Sequence, residues 1–339
     1  MTSIRSLAFL TPGNFPDDDP YAGLEETLGL FAYGEQLGYR GAWIRQRHLE
    51  HGVSSAATFL AAATQRTTTI ELGTAVIPIG YESPFRLGED LATVDVLSRG
   101  RLQAGFSAGT PPHLELLGDK VFDGGGQDVD FSHSRIERLA EGLSGAYLGD
   151  EDTRIHSPGN VQRPRLQPHS PGLVDRLWYG AGSRRSSVWA AERGLHLLTG
   201  NIVAGEDGDD FVTAQRANLA AFRAAWSGAS APRIALGRVI VPTDGADRAT
   251  RERYREYAAS RHERTLGPQG PRRTLFAPDL VGPADEIAER LLADAAVAEV
   301  DELRLELPYE FSLADYEQIL HDTVTLIAPR LTAATPAQR

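Results

Sequence analysis

The chain has 339 residues, 41% of them hydrophobic, enough to bury one large core, and that length suits either one barrel with insertions or two compact domains. Its 46 acidic residues against 34 basic ones give a formal charge of -12, which repels nucleic-acid phosphates and anionic lipid headgroups. The absence of cysteine excludes disulfides, thiolate metal sites, iron–sulfur clusters and a cysteine nucleophile, so redox chemistry here needs an added agent.

The opening stretch, MTSIRSLAFLTPGNF, has too few apolar residues before its proline and glycine for a signal peptide or a membrane span, and reads as the first buried strand of a cytoplasmic protein. Beyond it, short runs rich in Val, Ile, Leu and Phe alternate with longer stretches of helical period, the pattern of parallel strands joined by crossover helices. In chain order the predicted strands fall at 6–10, 41–44, 70–77, 102–106, 177–180, 195–199, 234–241 and 302–307. Helices are predicted at 24–37, 56–65, 84–97, 134–147, 183–194, 209–226, 251–264, 284–293 and 312–331. Eight alternating units predict a (β/α)8 TIM-type barrel with insertions. An open doubly wound sheet would follow its first strand with GxGxxG, and here that turn reads TPGNFPDDD. Pro and Gly clusters at 108–130, 157–176, 227–233 and 266–283 predict loops, the first two able to roof an active site. The expected organisation is one domain over 1–331 and a disordered tail over 332–339.

In such a barrel the C-terminal strand ends face one shared pocket. Arg45, Arg47 and His48 follow the second strand, Thr74 and Ala75 sit in the third, and Ser107 and Ala108 follow the fourth. The residue types alone also allow a hydrogen-bonded loop histidine at His48 and small residues filling a crowded interior at Thr74 and Ala75. Glycines precede the run Ser183, Arg184, Arg185, Ser186 where a helix begins, so Gly182, Ser183, Arg184 and Ser186 can surround an anion with backbone N–H groups, hydroxyls and a guanidinium. A serine cap with two solvated arginines is the plainer alternative. In DFSHSRIER, His133 and Arg135 are further candidates, with capping by Ser132 or Ser134 as the alternative; His113, His156 and His169 lie in loops and are assigned nothing. No pair of histidines with a carboxylate is spaced for a metal, so no metal site is expected.

The order GxxxxW-x4-H, then LGTAV with a following proline, RLGEDLATVDVLSRGRL and GFSAG resembles the N-terminal half of the bacterial luciferase-like monooxygenase family. LWYGAGSRRSSVWAAERGLHLLTGN resembles that family's flavin-phosphate stretch, and VGPADEIAERLLADAAVAEVDELRLELPY its last strand and the helix before it. The resemblance implies a flavin-dependent oxidoreductase using reduced FMN from a separate flavin reductase, together with oxygen, on a small organic substrate. The same resemblance covers enzymes dependent on coenzyme F-420 and non-catalytic flavin-binding members, and it implies a homodimer. It matches His48 to the second member of a flavin-facing histidine pair, with Arg47 in place of the first. It further implies a non-proline cis peptide between Ala75 and Val76 beneath the flavin. Ser107 matches a reactive cysteine and Ala108 a phosphate-binding arginine, which leaves the phosphate to residues 182–186. Light emission is not expected, and the substrate determinants fall in the loops 110–130 and 150–176.

Overall fold

A computed structural model of the chain describes residues 4–206 and 208–333. Eight parallel strands close into a barrel: β1 (Ser6–Thr11), β2 (Gly41–Ile44), β3 (Glu71–Thr74), β4 (Leu102–Ser107), β5 (Leu177–Gly180), β6 (His196–Thr199), β7 (Ile234–Arg238) and β8 (Glu302–Glu306). Each pairs with its successor, and β8 returns to β1 through Ser6↔Glu302 to Leu10↔Glu306. The TIM-type barrel expected from the alternating pattern is the architecture observed. From residue 334 on, the expected tail lies outside the described residues.

The strands read as continuous apolar runs because both of their faces are covered. Residues pointing outward, among them Phe9, Ile44, Leu72, Phe106, Tyr179, Leu197, Leu236 and Leu303, form the main core beneath the helices. The inward set is smaller and mixed. Ala8, Leu10, Trp43, Ala75, Trp178, Leu198 and Ala235 fill the interior, where the Trp43 and Trp178 rings meet edge to face at 5.3 Å. Gly73 makes room for Trp43: a Cβ there would stand 2.1 Å from the indole. Above this layer the buried Glu306 fills the space left by Gly237 and Gly200, where Cβ atoms would come within 2.0 and 2.8 Å of its carboxylate.

Helices α1 (Pro20–Gln36), α2 (Ala56–Ala63) and α3 (Pro84–Ser98) follow β1 to β3. Asp95 of α3, fully buried, takes a bidentate contact from Arg176 at 2.6 and 2.9 Å, and Arg176 also binds the carbonyls of Gly100 and Leu102. This clamp sets the lower ends of β4 and β5, and through them the height of the upper ends. An unforeseen helix, α4 (Leu114–Val121), lies in the glycine-rich stretch expected to be loop. The foreseen helices α5 (Ser134–Leu143), α6 (Arg184–Glu192), α7 (Phe211–Ala225), α8 (Arg248–His262), α9 (Ala284–Ala293) and α10 (Leu313–Asp322) complete the ring, and after a π turn α11 (Ala328–Ala333) extends the last of them.

Two predicted strands are interrupted. The run at 70–77 stops at Thr74; after the cis peptide Ala75–Val76 the chain resumes as Ile77–Pro78, paired with Phe106 and Ser107. The run at 234–241 breaks after Arg238, and Ile240–Pro242 pairs instead with Leu280–Gly282. The hairpin Ile155–Ser157/Asn160–Gln162 and the antiparallel pair Ile202–Ala204/Thr274–Phe276 were not foreseen, being three-residue segments without a readable period.

Candidate active site

At the upper end of the barrel the strand termini enclose a cleft of about 650 Å³, partly open to solvent, lined by Arg45, Gln46, Arg47, His48, Glu50, Ala75, Val76, Pro78, Ser107, Pro112 and His113. Five of the residues singled out from sequence meet there: Arg45, Arg47, His48, Ala75 and Ser107.

The floor is the interruption of β3. The Thr74 hydroxyl donates to the Gly105 carbonyl at 2.9 Å and accepts from the Gly105 N–H at 2.8 Å, so it staples β3 to β4 and spends its one proton there. The peptide that follows is the cis bond foreseen between Ala75 and Val76. Behind it, a Cβ on Gly180 would stand 3.0 Å from Val76, so the absence of a side chain at the end of β5 lets the two strand ends approach.

One wall carries the charged and titratable groups. Gln46 is buried and makes three contacts: its Oε1 accepts from the Ala56 N–H at the start of α2 (3.0 Å), while its Nε2 lies 2.7 Å from Glu82 Oε1 and 3.4 Å from His48 Nε2. His48 meets the Tyr81 ring edge-on at 5.1 Å. Burial pulls the imidazole below the ordinary histidine value, with Glu82 opposing. Burial also works against the charge of Arg47, but Tyr309 and Glu50 outweigh it and hold that guanidinium firmly protonated; its Nη2 donates to the Tyr309 hydroxyl at 2.9 Å. Arg45 pairs with Glu306 at 3.2 Å and, like Arg47, lies over the Tyr309 ring. Gln46, Glu82, Tyr309 and His113 were not picked out from the sequence, and His113, left unassigned there, lines the cleft.

The remaining expectations fall beside the cleft rather than in its wall. Ala108 packs against the outer core. Ser183 caps α6, its hydroxyl accepting from the Ser186 N–H and Ser186 answering the Ser183 N–H, so both serines are engaged with each other. At the same helix terminus the Arg184 N–H donates to the Glu206 carboxylate at 2.9 Å. A carboxylate thus already stands on the first turn of α6, showing that this terminus accepts an anion. Gly182 adjoins it, its carbonyl accepting from the Ala204 N–H. Arg135 is a structural residue: its guanidinium donates to the carbonyls of Ile79, Glu82 and Asp130. His133 stacks on Trp189 at 4.0 Å and bonds the Tyr179 hydroxyl at 2.9 Å. Burial first, and Arg185 second, keep its ring below the ordinary histidine value. Among the described residues no three metal-ligating side chains converge, and no helix is long and apolar enough to cross a membrane.

Comparison with known proteins extends this picture. The chain is 28% identical over 218 residues to limonene 1,2-monooxygenase of Rhodococcus erythropolis, covering 59% of this chain and 55% of that one. It is 34% identical over 194 residues to 4-hydroxyprotoasukamycin monooxygenase of Streptomyces nodosus subsp. asukaensis, covering 56% and 52%. The chain spans about half the length of these curated relatives. Among solved structures it resembles monooxygenase RslO1 of Streptomyces bottropensis (TM-score 0.71, 18% identity, 96% and 99% coverage). It also resembles the oxygenating constituent of 3,6-diketocamphane monooxygenase of Pseudomonas putida in complex with FMN (0.64, 15%, 97% and 99%). An F-420-dependent secondary alcohol dehydrogenase shares the fold as well (0.61, 13%, 98% and 99%). The luciferase-like monooxygenase family model matches residues 4–302. By that match, across nearly the whole barrel, the chain belongs to the luciferase-like monooxygenase family.

Proposed function

We propose that the chain is a flavin-dependent monooxygenase that uses reduced FMN and oxygen to oxygenate a small organic substrate. The observation that carries this reading is the convergence of His48, Ser107 and the Ala75–Val76 peptide on one cleft at the upper end of the barrel. Two features support a flavin: small and apolar groups line the open cleft at the strand ends, and the terminus of α6 already holds a carboxylate where a phosphate would sit. When bound, the flavin supplies the electron-transfer and oxygen chemistry that the protein's own side chains lack.

Ala75, Val76, Pro78 and Ser107 would form the surface that packs against the flavin ring and excludes water there. His48 offers a ring nitrogen to an oxygen atom in the cleft. Arg45 and Arg47, each anchored by a carboxylate and by Tyr309, orient polar substrate groups without leaving an uncompensated charge. Gly182, Ser183, Arg184 and Ser186 would hold the phosphate at the helix terminus, where the N–H that now serves Glu206, together with the helix dipole, favours an anion. A separate reductase as flavin donor and a homodimer complete the proposal.

The test is titration of the purified chain with FMN and with coenzyme F-420, followed by oxygen uptake with each reduced cofactor. Binding of FMN and oxygen-dependent turnover of a candidate substrate support the reading. Turnover with F-420 alone, independent of oxygen, replaces it with hydride transfer; FMN binding without turnover of any substrate points to a flavin carrier.

A further inference from the structure

The Gln46 carboxamide has only one workable orientation. The Ala56 N–H is a donor at the first position of α2, and the preceding Ser55 gives that helix no side-chain cap, its hydroxyl bonding Thr58 instead. The atom facing Ala56 must therefore be the amide oxygen, and the NH2 group faces the other way. There it meets the Glu82 carboxylate, an acceptor, at 2.7 Å and His48 Nε2 at 3.4 Å. Turning the amide over would set N–H against N–H at Ala56 and oxygen against carboxylate at Glu82. An amide locked in this way presents a donor to His48 Nε2, and a donor needs a lone pair opposite it.

We propose that Gln46 is a positioning residue: clamped between the α2 terminus and Glu82, it holds His48 as the neutral tautomer with the proton on Nδ1 and the lone pair on Nε2. His48 then serves the cleft as a neutral hydrogen-bond donor rather than as an imidazolium. The groups around the ring act together with this. Glu82 and Tyr81 face it from the segment before α3, and Arg45, Arg47 and Glu50 share the cleft wall from its own segment. His113 faces the same space from the loop before α4. Glu82 favours a proton on His48, and its hydrogen bond from Gln46 partly engages it. The consequence for turnover rests on the flavin reading; the tautomer does not, because it is measured without cofactor.

The experiment is 15N NMR of the histidine rings in the cofactor-free chain across pH, with His48 assigned by the resonance lost in His48→Asn. In the wild type, Nε2 should carry the unprotonated signal, and the ring should stay neutral to a pH below the ordinary histidine value. The double exchange Gln46→Glu with Glu82→Gln conserves net charge, the cap on Ala56 and the hydrogen bond between the two positions, but turns an acceptor toward His48. It should move the proton to Nε2 and raise the titration by about one unit or more, as an adjacent opposite charge does. A wild-type ring protonated on Nε2 overturns the proposal, as does an exchange that leaves tautomer and titration in place. Should the exchanged protein not fold, the wild-type tautomer alone decides.

Discussion

Glu206 allows the phosphate site to be tested apart from the ring site. Its carboxylate accepts the Arg184 N–H at 2.9 Å, on the first turn of α6, so a phosphate that binds there must first displace it. Glu206 is exposed, and a surface carboxylate at a helix N-terminus is worth about 0.3–1 kcal/mol. Replacing Glu206 with Gln removes that competing charge while keeping a hydrogen-bonding side chain of the same length. FMN should therefore bind about two- to fivefold more tightly, since each 1.4 kcal/mol is tenfold in Kd. Riboflavin, which lacks the phosphate, should bind both proteins equally. Fluorescence titration of each flavin against each protein at fixed salt reads all four constants, and raising the salt should shrink the FMN difference because the competing charges are screened. If FMN and riboflavin respond alike, or FMN is unaffected, the phosphate does not bind at this terminus and residues 182–186 serve only as a helix cap.

Three further outcomes follow from the geometry. His48→Ala should lower turnover with reduced FMN by roughly 10²-fold while changing FMN affinity only slightly, checked by steady-state kinetics beside the same titration. Gly73→Ala places a methyl group 2.1 Å from the buried Trp43 ring, which also packs edge to face on Trp178, so the denaturant midpoint should fall by the equivalent of about 1–3 kcal/mol. Burial first, and Arg233 second, depress the His196 imidazole from 6.5 to about 4, and its Nδ1 accepts the Arg233 N–H. Above pH 6.5 the ring is neutral in both folded and unfolded chains. As pH falls from 6.5 toward 4 the unfolded chain takes the proton first and stability is lost, by about 2 kcal/mol between pH 7 and 5. Urea titrations at the two pH values should show this loss in the wild type and much less of it in His196→Gln.

The barrel was legible because its strands carry apolar residues on both faces, so Phe9, Leu72, Phe106 and Leu236 stand out as runs wherever the local period is read. The strand-end residues His48, Ala75 and Ser107 were legible for the same reason: once the strands are placed, their upper ends converge. What stayed hidden depends on contacts distant in sequence. Gln46 bonds residues 10 and 36 positions away, and Tyr309 meets Arg47 across 262. The start of α6 could be read from Ser183 and Ser186, whereas its occupant, Glu206, enters from a later loop 22 residues on. Helix α4 was missed because its eight residues stand beside Gly124, Gly125 and Gly126, whose composition reads as loop.

The way β3 breaks off divides the cleft into parts with different freedom to vary. Its floor is the barrel wall itself, stapled at Thr74 and Gly105 and rejoined at Ile77 and Phe106, so a change there disturbs the closure of the whole barrel. Its roof is a separate insertion, α4, tied down at few places: the Tyr81 hydroxyl on the Pro112 carbonyl, the Tyr81–Phe122 and Phe122–Phe131 ring contacts, and the Gly109 N–H on Phe131. On the proposed reading, exchanging residues 110–130 as a cassette between members of the family should change the enclosure beside Pro112 and His113 while leaving the barrel floor intact.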